Sequence, residues 1–276
     1  MSEQERVEER PEVEKPGKGK DHMMDVGPRV ISGELPCGYI DADGDLHRKF
    51  VVGEMSGEEE DLLAGSGPVM ARLNRVIANC TQQLGSVTES SALFRAACEL
   101  TAPDRMLMLI TIRRASIDDH FDFEVRCPNR RCQQSDKKTV NLAELEITPM
   151  PDPMVRSFET QVGPYMVRWH VQSAEDEEWL TTMVKKREDV TTLAILSRVS
   201  EINGEKLKRD TPRELRAAKR ILKSMSSRHR NALRAMFREH EGDIDTQVEI
   251  ECSSCGHRWK GEVEVADPSF FFPQGM

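Results

Sequence analysis

Cys127-Pro-Asn-Arg-Arg-Cys132 and Cys252-Ser-Ser-Cys255 are the two stretches from which the fold of this 276-residue chain can be worked out. Apolar residues alternate with polar ones on both sides of each stretch, at Phe121, Phe123, Val125, Val140, Val248, Ile250, Trp259 and Val263. This period of two predicts a β-hairpin with a cysteine pair at its tip in each case. Two such tips supply the four thiolates of a tetrahedral structural zinc site. The sequence therefore predicts one structural Zn²⁺ per chain, bound by Cys127, Cys132, Cys252 and Cys255.

Two alternatives to this ligand set stay open from the sequence. The cysteines could be reduced thiols that fall in turns, or His257 could replace one of them as a ligand. The first pair also has four intervening residues where two are usual, so its loop must bulge. If all four ligands are cysteines, the zinc has no open position for water or substrate, and the predicted role of the site is structural.

The composition of the chain restricts its partners. The formal net charge of −9 argues against general coating of nucleic acid or of an anionic membrane. The longest apolar run, Met106 to Ile112, is too short to span a bilayer, and the first residues contain no apolar signal segment. We therefore expect a cytoplasmic protein with no membrane contact. Seven cysteines in such a chain indicate thiols and metal ligands instead of disulfides, with Cys37, Cys80 and Cys98 as small core residues.

Composition and periodicity predict an α+β fold in which zinc-ribbon-like β-hairpins are joined by a large, mostly helical insertion. The predicted parts are a disordered tail (1–28), an N-terminal β-hairpin and helices (29–120), the first half of the zinc ribbon (121–150), a β-hairpin with a helical insertion (151–243), and the second half of the ribbon with an aromatic C-terminal segment (244–276).

Local patterns predict several helices and one loop inside these parts. Capping-box spacing predicts helix starts at Ser56 and Thr211. An apolar stripe predicts a helix over residues 69–84, followed by a polar loop up to Thr101. The segment after residue 184 is predicted to remain helical through Val199.

The aromatic segment near the C-terminus is the predicted partner-binding site. Phe270, Phe271 and Phe272 lie between Pro268 and Pro273. In an extended segment successive side chains point to opposite sides, so at least one ring should be free to enter a partner's pocket. The alternative is that the segment folds back over the ribbon.

A basic region between residues 213 and 238 offers a second kind of interface. Its candidate patch consists of Arg213, Arg216, Lys219, Arg220, Lys223, Arg230 and Arg234. Such a patch could track phosphates, as in a zinc-ribbon protein that binds nucleic acid or takes part in transcription. Aromatic residues for base stacking are nearly absent there, which favours a solvated face that meets an acidic surface in the chain or on a partner. We therefore do not expect a nucleic-acid partner.

No pattern in the sequence indicates catalysis. The histidines are scattered, and the chain has no nucleophile elbow, phosphate-binding loop or paired-carboxylate motif. The sequence therefore predicts no catalytic residues and no small-molecule substrate.

Several motifs in order carry a family resemblance. They are GEMSGEEEDLLA (53–64), RLNRVIANC (72–80), TAPDRMLMLITIRRASI (101–117) leading into FDFEVRCP (121–128), the second Cys-x-x-Cys-Gly, and the final Phe-Phe-Phe-Pro. This order resembles the T4-type phage baseplate hub assembly proteins, also called assembly chaperones, and their relatives in contractile tail-like injection particles. The resemblance covers roughly residues 33–273. It implies a non-catalytic role in baseplate or hub assembly, with other tail or baseplate proteins as partners and incorporation into the particle left open.

Overall fold

The computed structural model describes residues 28–184 and 189–272. The predicted disordered tail lies outside these residues except for Pro28. The elements of the first half are β1 (Val30–Ile40), β2 (Leu46–Gly53), α1 (Gly57–Ala64), α2 (Val69–Cys80), β3 (Thr81–Leu84), α3 (Ser90–Glu99), α4 (Ala102–Ser116), β4 (His120–Arg126), β5 (Ser135–Asn141) and β6 (Ile147–Thr148). Those of the second half are β7 (Ser157–Val162), β8 (Tyr165–His170), α5 (Ala174–Val184), α6 (Val190–Leu196), β9 (Val199–Ile202), β10 (Glu205–Lys206), α7 (Pro212–Ser224), α8 (Ser227–His240), β11 (Asp243–Ile244), β12 (Gln247–Glu251) and β13 (Arg258–Glu262).

The first hydrophobic core lies between an antiparallel sheet and a group of helices. The sheet has the order β1-β2-β3, and α4 packs against β1 and β2. Because α4 is apolar on nearly every side between Met106 and Ile112, its residues Met108, Ile110 and Ile112 are all at most 1% exposed. The same core takes in residues next to both cysteine hairpins, namely Phe121, Leu142, Ile244, Val263 and Val265. The two hairpins are therefore anchored on one core although they are far apart in sequence.

A second hydrophobic core is formed within the stretch between the two cysteine pairs. Its antiparallel sheet has the order β10-β9-β8-β7, and α6, α7 and α8 contribute apolar residues to the same cluster. Trp169 on β8 lies at its centre, fully buried and stacked on Phe158 with ring centroids 4.4 Å apart. A small cluster of Cys37, Met150 and Val171 lies where this unit meets the first one.

Buried polar groups also hold the two units together. The Asp104 carboxylate at the start of α4 accepts hydrogen bonds from the backbone N–H of Cys37 (2.8 Å) and Gly38 (3.2 Å). The guanidinium of Arg156, which follows Met150 in the second unit, donates to the carbonyl oxygens of the same two residues, at 2.9 and 2.7 Å. The Cys37–Gly38 segment of β1 is thus hydrogen bonded on both sides of the junction, because its N–H groups donate to Asp104 and its carbonyl oxygens accept from Arg156.

Asp176 forms another buried polar centre, inside the second unit. Its carboxylate accepts hydrogen bonds from Arg209 (2.7 Å), from His170 (3.0 Å) and from the Ser173 hydroxyl (2.9 Å). Burial by itself would raise the pKa of Asp176, but the hydrogen bonds from His170 and Arg209 lower it well below its ordinary value.

Asp176→Asn is expected to lower the free energy of unfolding by about 3 kcal/mol, because Arg209 would keep its charge without a carboxylate. A carboxyl group whose pKa is lower in the folded than in the unfolded state stabilises the fold at pH values above the unfolded pKa. That pKa is near 3.9 for aspartate. The wild type should therefore lose this contribution as the pH falls below about 4, and the variant should lack that part of the pH dependence. Denaturant unfolding between pH 7 and pH 3 measures both effects. Equal stability of the two proteins at pH 7 would contradict this role for Asp176.

Three predictions about local structure are wrong. The helix predicted for 69–84 ends at Cys80, because Thr81–Leu84 turns extended and pairs with β2 as β3. The predicted polar loop before Thr101 contains α3, whose first N–H groups are capped by the Glu89 side chain, a residue outside the usual capping set. The helix predicted through Val199 ends at Leu196, because Val199 begins β9 and pairs with β8.

The remaining predicted elements are present with small shifts at their ends. Capping boxes occur at Ser56 and at Thr211 as predicted. The hairpins that carry the cysteine pairs form two separate two-stranded sheets, β4-β5 and β12-β13. Among the helices of the described residues, none has the length and hydropathy needed to cross a membrane.

Candidate metal centre

The four cysteines predicted as ligands lie together. The Sγ atoms of Cys127, Cys132, Cys252 and Cys255 are all within 4.8 Å of one another. Two of these distances are 3.8 Å, from Cys127 to Cys255 and from Cys132 to Cys252, each joining one hairpin to the other. These separations exceed a disulfide bond length of about 2 Å. The sulfurs are close enough to bind one metal ion and are compatible with one zinc.

The first cysteine pair closes its wide loop through backbone hydrogen bonds. The carbonyl of Asn129 accepts from the N–H groups of Cys132 (2.9 Å) and Gln133 (3.1 Å), and the N–H of Cys127 donates to the carbonyl of Gln134 (2.9 Å). Gln133 takes a left-handed conformation with φ of 52°. The four intervening residues are thus accommodated as a tight turn that still aims both sulfurs inward.

The second pair uses the same closure with a shorter loop. The N–H of Cys252 donates to the carbonyl of His257 (2.9 Å), as that of Cys127 does to Gln134. The left-handed residue after the last cysteine is Gly256, with φ of 67°. Gln133 and Gly256 therefore occupy equivalent positions in the two loops.

Gly256→Ala is expected to lower the free energy of unfolding by about 1–2 kcal/mol, because an L-residue is strained at this φ. A Cβ there would meet only a Glu251 oxygen at 4.0 Å. The loss of stability would therefore come from backbone strain and not from a steric clash. The matched variant is Gln133→Gly, which should change the free energy of unfolding little. Relief of backbone strain in the folded state offsets the greater entropy that glycine gives the unfolded chain. Thermal unfolding of both variants with metal bound measures the difference. A neutral Gly256→Ala would contradict the loop geometry.

Polar contacts join the two loops beside the sulfurs. The carboxylate of Asp136 on β5 accepts a hydrogen bond from the N–H of Ser253 (3.2 Å) and lies 2.7 Å from the Lys138 ammonium. These partners, Lys138 first, lower the pKa of Asp136 to about 2. The side-chain amide of Asn129 lies 3.9 Å from the Cys255 sulfur. The second loop is therefore held against the first hairpin by groups other than the cysteines.

The thiols differ strongly in their readiness to ionise without a metal. Burial raises the pKa of Cys127 to about 12, whereas the backbone N–H of Ser254 is the leading cause that lowers the pKa of Cys252 to about 7. Both residues are 2% exposed, while Cys255 lies at the surface. A cation is needed to hold all four as thiolates at once, because like charges this close repel one another.

His257 does not join this group among the residues that the structure describes. Its ring stacks on Trp259, with centroids 6.0 Å apart. Cys37 and Cys80 are buried and Cys98 is half-buried, each outside the four-cysteine group.

The aromatic segment differs from the prediction for two of its three rings. Phe270 and Phe271 are 1% and 3% exposed and belong to the first core, whereas Phe272 is 36% exposed. The segment is a 3₁₀ turn, Pro268–Phe271, so the alternation expected of an extended chain does not apply. Arg113 fixes this turn by donating to the Phe270 carbonyl (2.9 Å). Phe270 and Phe271 are therefore core residues, which corrects the expectation that they bind a partner.

The basic residues of the predicted patch are not equivalent. Lys219 and Lys223 both form ion pairs with Asp189. Arg230 donates to the Thr192 hydroxyl (2.9 Å), and Arg234 donates to the Asn231 side chain (2.6 Å). Arg213, Arg216 and Arg220 are exposed on α7.

Sequence reasoning missed Arg113 and Asp136, which position the C-terminal turn and the second cysteine loop. A charged residue directly after the apolar run Met106 to Ile112 was a usable signal for Arg113, because burial of a charge requires partners. Asp136 lies in a polar strand and carries no comparable signal.

Comparison with known proteins gives one family match. The family described as T4 bacteriophage base plate protein matches residues 48–273, a range that begins within β2 and includes both cysteine pairs. A search of the curated proteins and a search of the solved structures each found no match.

Proposed function

This chain belongs to the T4 bacteriophage base plate protein family, and we propose that it is a non-catalytic, zinc-containing structural protein that acts in assembly of a baseplate or its hub. Its partners are other tail or baseplate proteins of a phage or a contractile tail-like particle. The chain is made in the cytoplasm of the producing cell and joins the particle. The family match over residues 48–273 supports the baseplate role, and the grouping of four cysteine sulfurs supports the zinc.

Zinc is the metal that this ligand set fits best. Four sulfurs around a tetrahedral zinc at about 2.3 Å would be about 3.8 Å from one another, and two of the four cross-hairpin distances are 3.8 Å. Soft thiolates also favour zinc over the hard cations that prefer oxygen ligands. With four protein ligands the ion has no open position, so its role is to hold the two hairpins together.

Joining the hairpins matters because of the chain between them. Residues 133–251 contain the second hydrophobic core, and both ends of this stretch lead back to the cysteine site. A metal bound at that point fixes the segment that leads into the second unit against the segment that leads out of it, so that the ends of the second unit are held together on the first core.

Phe272 is the residue of the aromatic segment that we propose docks on a partner protein. It follows two buried rings and is itself exposed, so its backbone position is fixed while its side chain is available. An aromatic side chain on a fixed backbone loses little entropy on binding, which suits a docking anchor.

Phe272→Ala is expected to weaken assembly with the partner by about 2 kcal/mol, or about 30-fold in affinity, and to leave the stability of the isolated protein nearly unchanged. Phe270→Ala is the matched control, because removal of a buried ring should destabilise the fold by about 3–5 kcal/mol. Thermal unfolding and incorporation into particles are measured for both variants. Normal assembly of Phe272→Ala would contradict the docking role.

The proposed function is tested in cells that produce the particle but lack this chain. Electron microscopy should show tails with missing or incomplete baseplates, and wild-type protein supplied from a plasmid should restore them. Cys252→Ser should fail to restore them at the same expression level. Complete baseplates in the absence of the chain would contradict the proposal.

A further inference from the structure

One face of α7 carries three exposed arginines. Arg213, Arg216 and Arg220 are spaced by three and four residues, so they lie on the same side of the helix. At about 1.5 Å per residue they form a row about 10 Å long. We refer to these three side chains as the arginine row.

The arginine row has no acidic partner among the residues that the structure describes. The neighbouring Lys219 and Lys223 are neutralised by Asp189, but no ion pair within 4.0 Å involves Arg213, Arg216 or Arg220 in those residues. The single acidic residue of α7, Glu214, hydrogen bonds to the N-cap residue Thr211 (2.8 Å). As far as the described residues go, the charge of the row is therefore left for solvent or for a partner.

The stability of α7 does not explain the row. Arg213 lies in the first turn, where the positive end of the helix dipole disfavours a cation. Arg216 and Arg220 are four residues apart, a spacing at which like charges repel. The capping box at Thr211 and the burial of Ala218 and Leu222 hold the helix in place. Three residues that disfavour the helix electrostatically are better explained by binding.

We propose that the arginine row docks against an acidic face of another baseplate protein. This inference rests on the proposed function and names the chemistry of one partner surface. Guanidinium groups pair with carboxylates through two parallel hydrogen bonds, so a row of three fits carboxylates spaced along a partner helix or strand. Electrostatic complementarity of this kind fixes the register between two proteins.

A protein partner fits the row better than a nucleic acid does. Neither α7 nor α8 exposes a phenylalanine, tyrosine or tryptophan on which a base could stack. Three cations would neutralise few phosphates, and the net charge of −9 repels nucleic acid from the rest of the chain.

Charge reversal gives the first test. R213E/R216E/R220E should lower incorporation into particles by about tenfold or more, because attraction becomes repulsion at three positions. The control is K49E/R75E/R95E, which changes the net charge equally at three exposed residues of the first unit. The control should be incorporated like the wild type. Unchanged incorporation of R213E/R216E/R220E would overturn the inference while leaving the proposed function intact.

Carbodiimide crosslinking of assembled particles tests the chemistry of the partner. R213K/R216K/R220K keeps the positive charge and adds amines that the reagent couples to carboxylates in direct contact. Mass spectrometry should find crosslinks from these positions to Asp or Glu of another protein, which the wild type lacks. Crosslinks within this chain only, or crosslinks to a second copy of it, would overturn the inference. The inference would also fail if the lysines at these positions formed crosslinks only after nuclease treatment, because a nucleic acid would then be covering them. If the wild type is absent from particles, it is the proposed function that fails.

Discussion

Cys252→Ser is expected to remove the metal and to unfold the region around both hairpins. Cys252 is 2% exposed and its sulfur lies 3.8 Å from that of Cys132 on the other hairpin, so a serine hydroxyl there would be a buried, poor ligand. Zinc content should fall from about one per chain to near zero, since the site would lose more than about 100-fold in affinity. The melting temperature should fall by roughly 10 °C or more. Metal analysis and thermal unfolding measure the two effects.

A double variant sharpens this prediction. If the four sulfurs hold one ion, Cys127→Ser combined with Cys252→Ser should be hardly less stable than either single variant, because one substitution already releases the metal. Cys98→Ser is the control, since Cys98 lies outside the group and should keep full zinc content. Additive losses in the double variant would mean that each cysteine acts by packing alone.

Trp169→Ala is expected to lower the free energy of unfolding of the second unit by about 3–5 kcal/mol. The side chain is fully buried between Phe158 and Phe237, with ring centroids 4.4 and 4.8 Å away, and its indole N–H donates to the Thr160 hydroxyl (3.2 Å). The substitution leaves a large cavity and an unpaired hydroxyl. Denaturant unfolding followed by circular dichroism gives the loss.

The expected unfolding of Trp169→Ala is selective. Trp169 belongs to the second core, whereas the residues beside the cysteine hairpins belong to the first. The variant should therefore keep one zinc per chain while the second unit unfolds at a lower denaturant concentration. Trp179→Ala is the control. Trp179 is half-buried under Arg209, so its removal should lower the free energy of unfolding by less than the removal of Trp169. Loss of zinc together with the second core would show that the two cores unfold as one.

The parts of the fold that could be predicted are those whose cause is local. The cysteine hairpins follow from alternation, and the starts of α1 and α7 follow from side chains three residues apart at Ser56 and Thr211. The cysteine group followed from the coordination chemistry of zinc, since two pairs are needed to complete four ligands.

The parts that could not be predicted depend on residues distant in sequence. The carbonyl of Phe270 accepts a hydrogen bond from Arg113, which is 157 positions away in the sequence. This contact fixes the turn that places the Phe270 and Phe271 side chains in the core. Thr81–Leu84 has the composition of a helix end, and only pairing with Phe50, Val51 and Val52 makes it a strand. The Ser253 contact of Asp136 arises only once the two hairpins meet.

X-ray absorption at the zinc edge on the purified full-length protein tests the proposed metal centre most directly. We predict about one zinc per chain with four sulfur neighbours at about 2.3 Å and no nitrogen or oxygen in the first shell. A folded protein without zinc, or a spectrum that requires a histidine or water ligand, would contradict it.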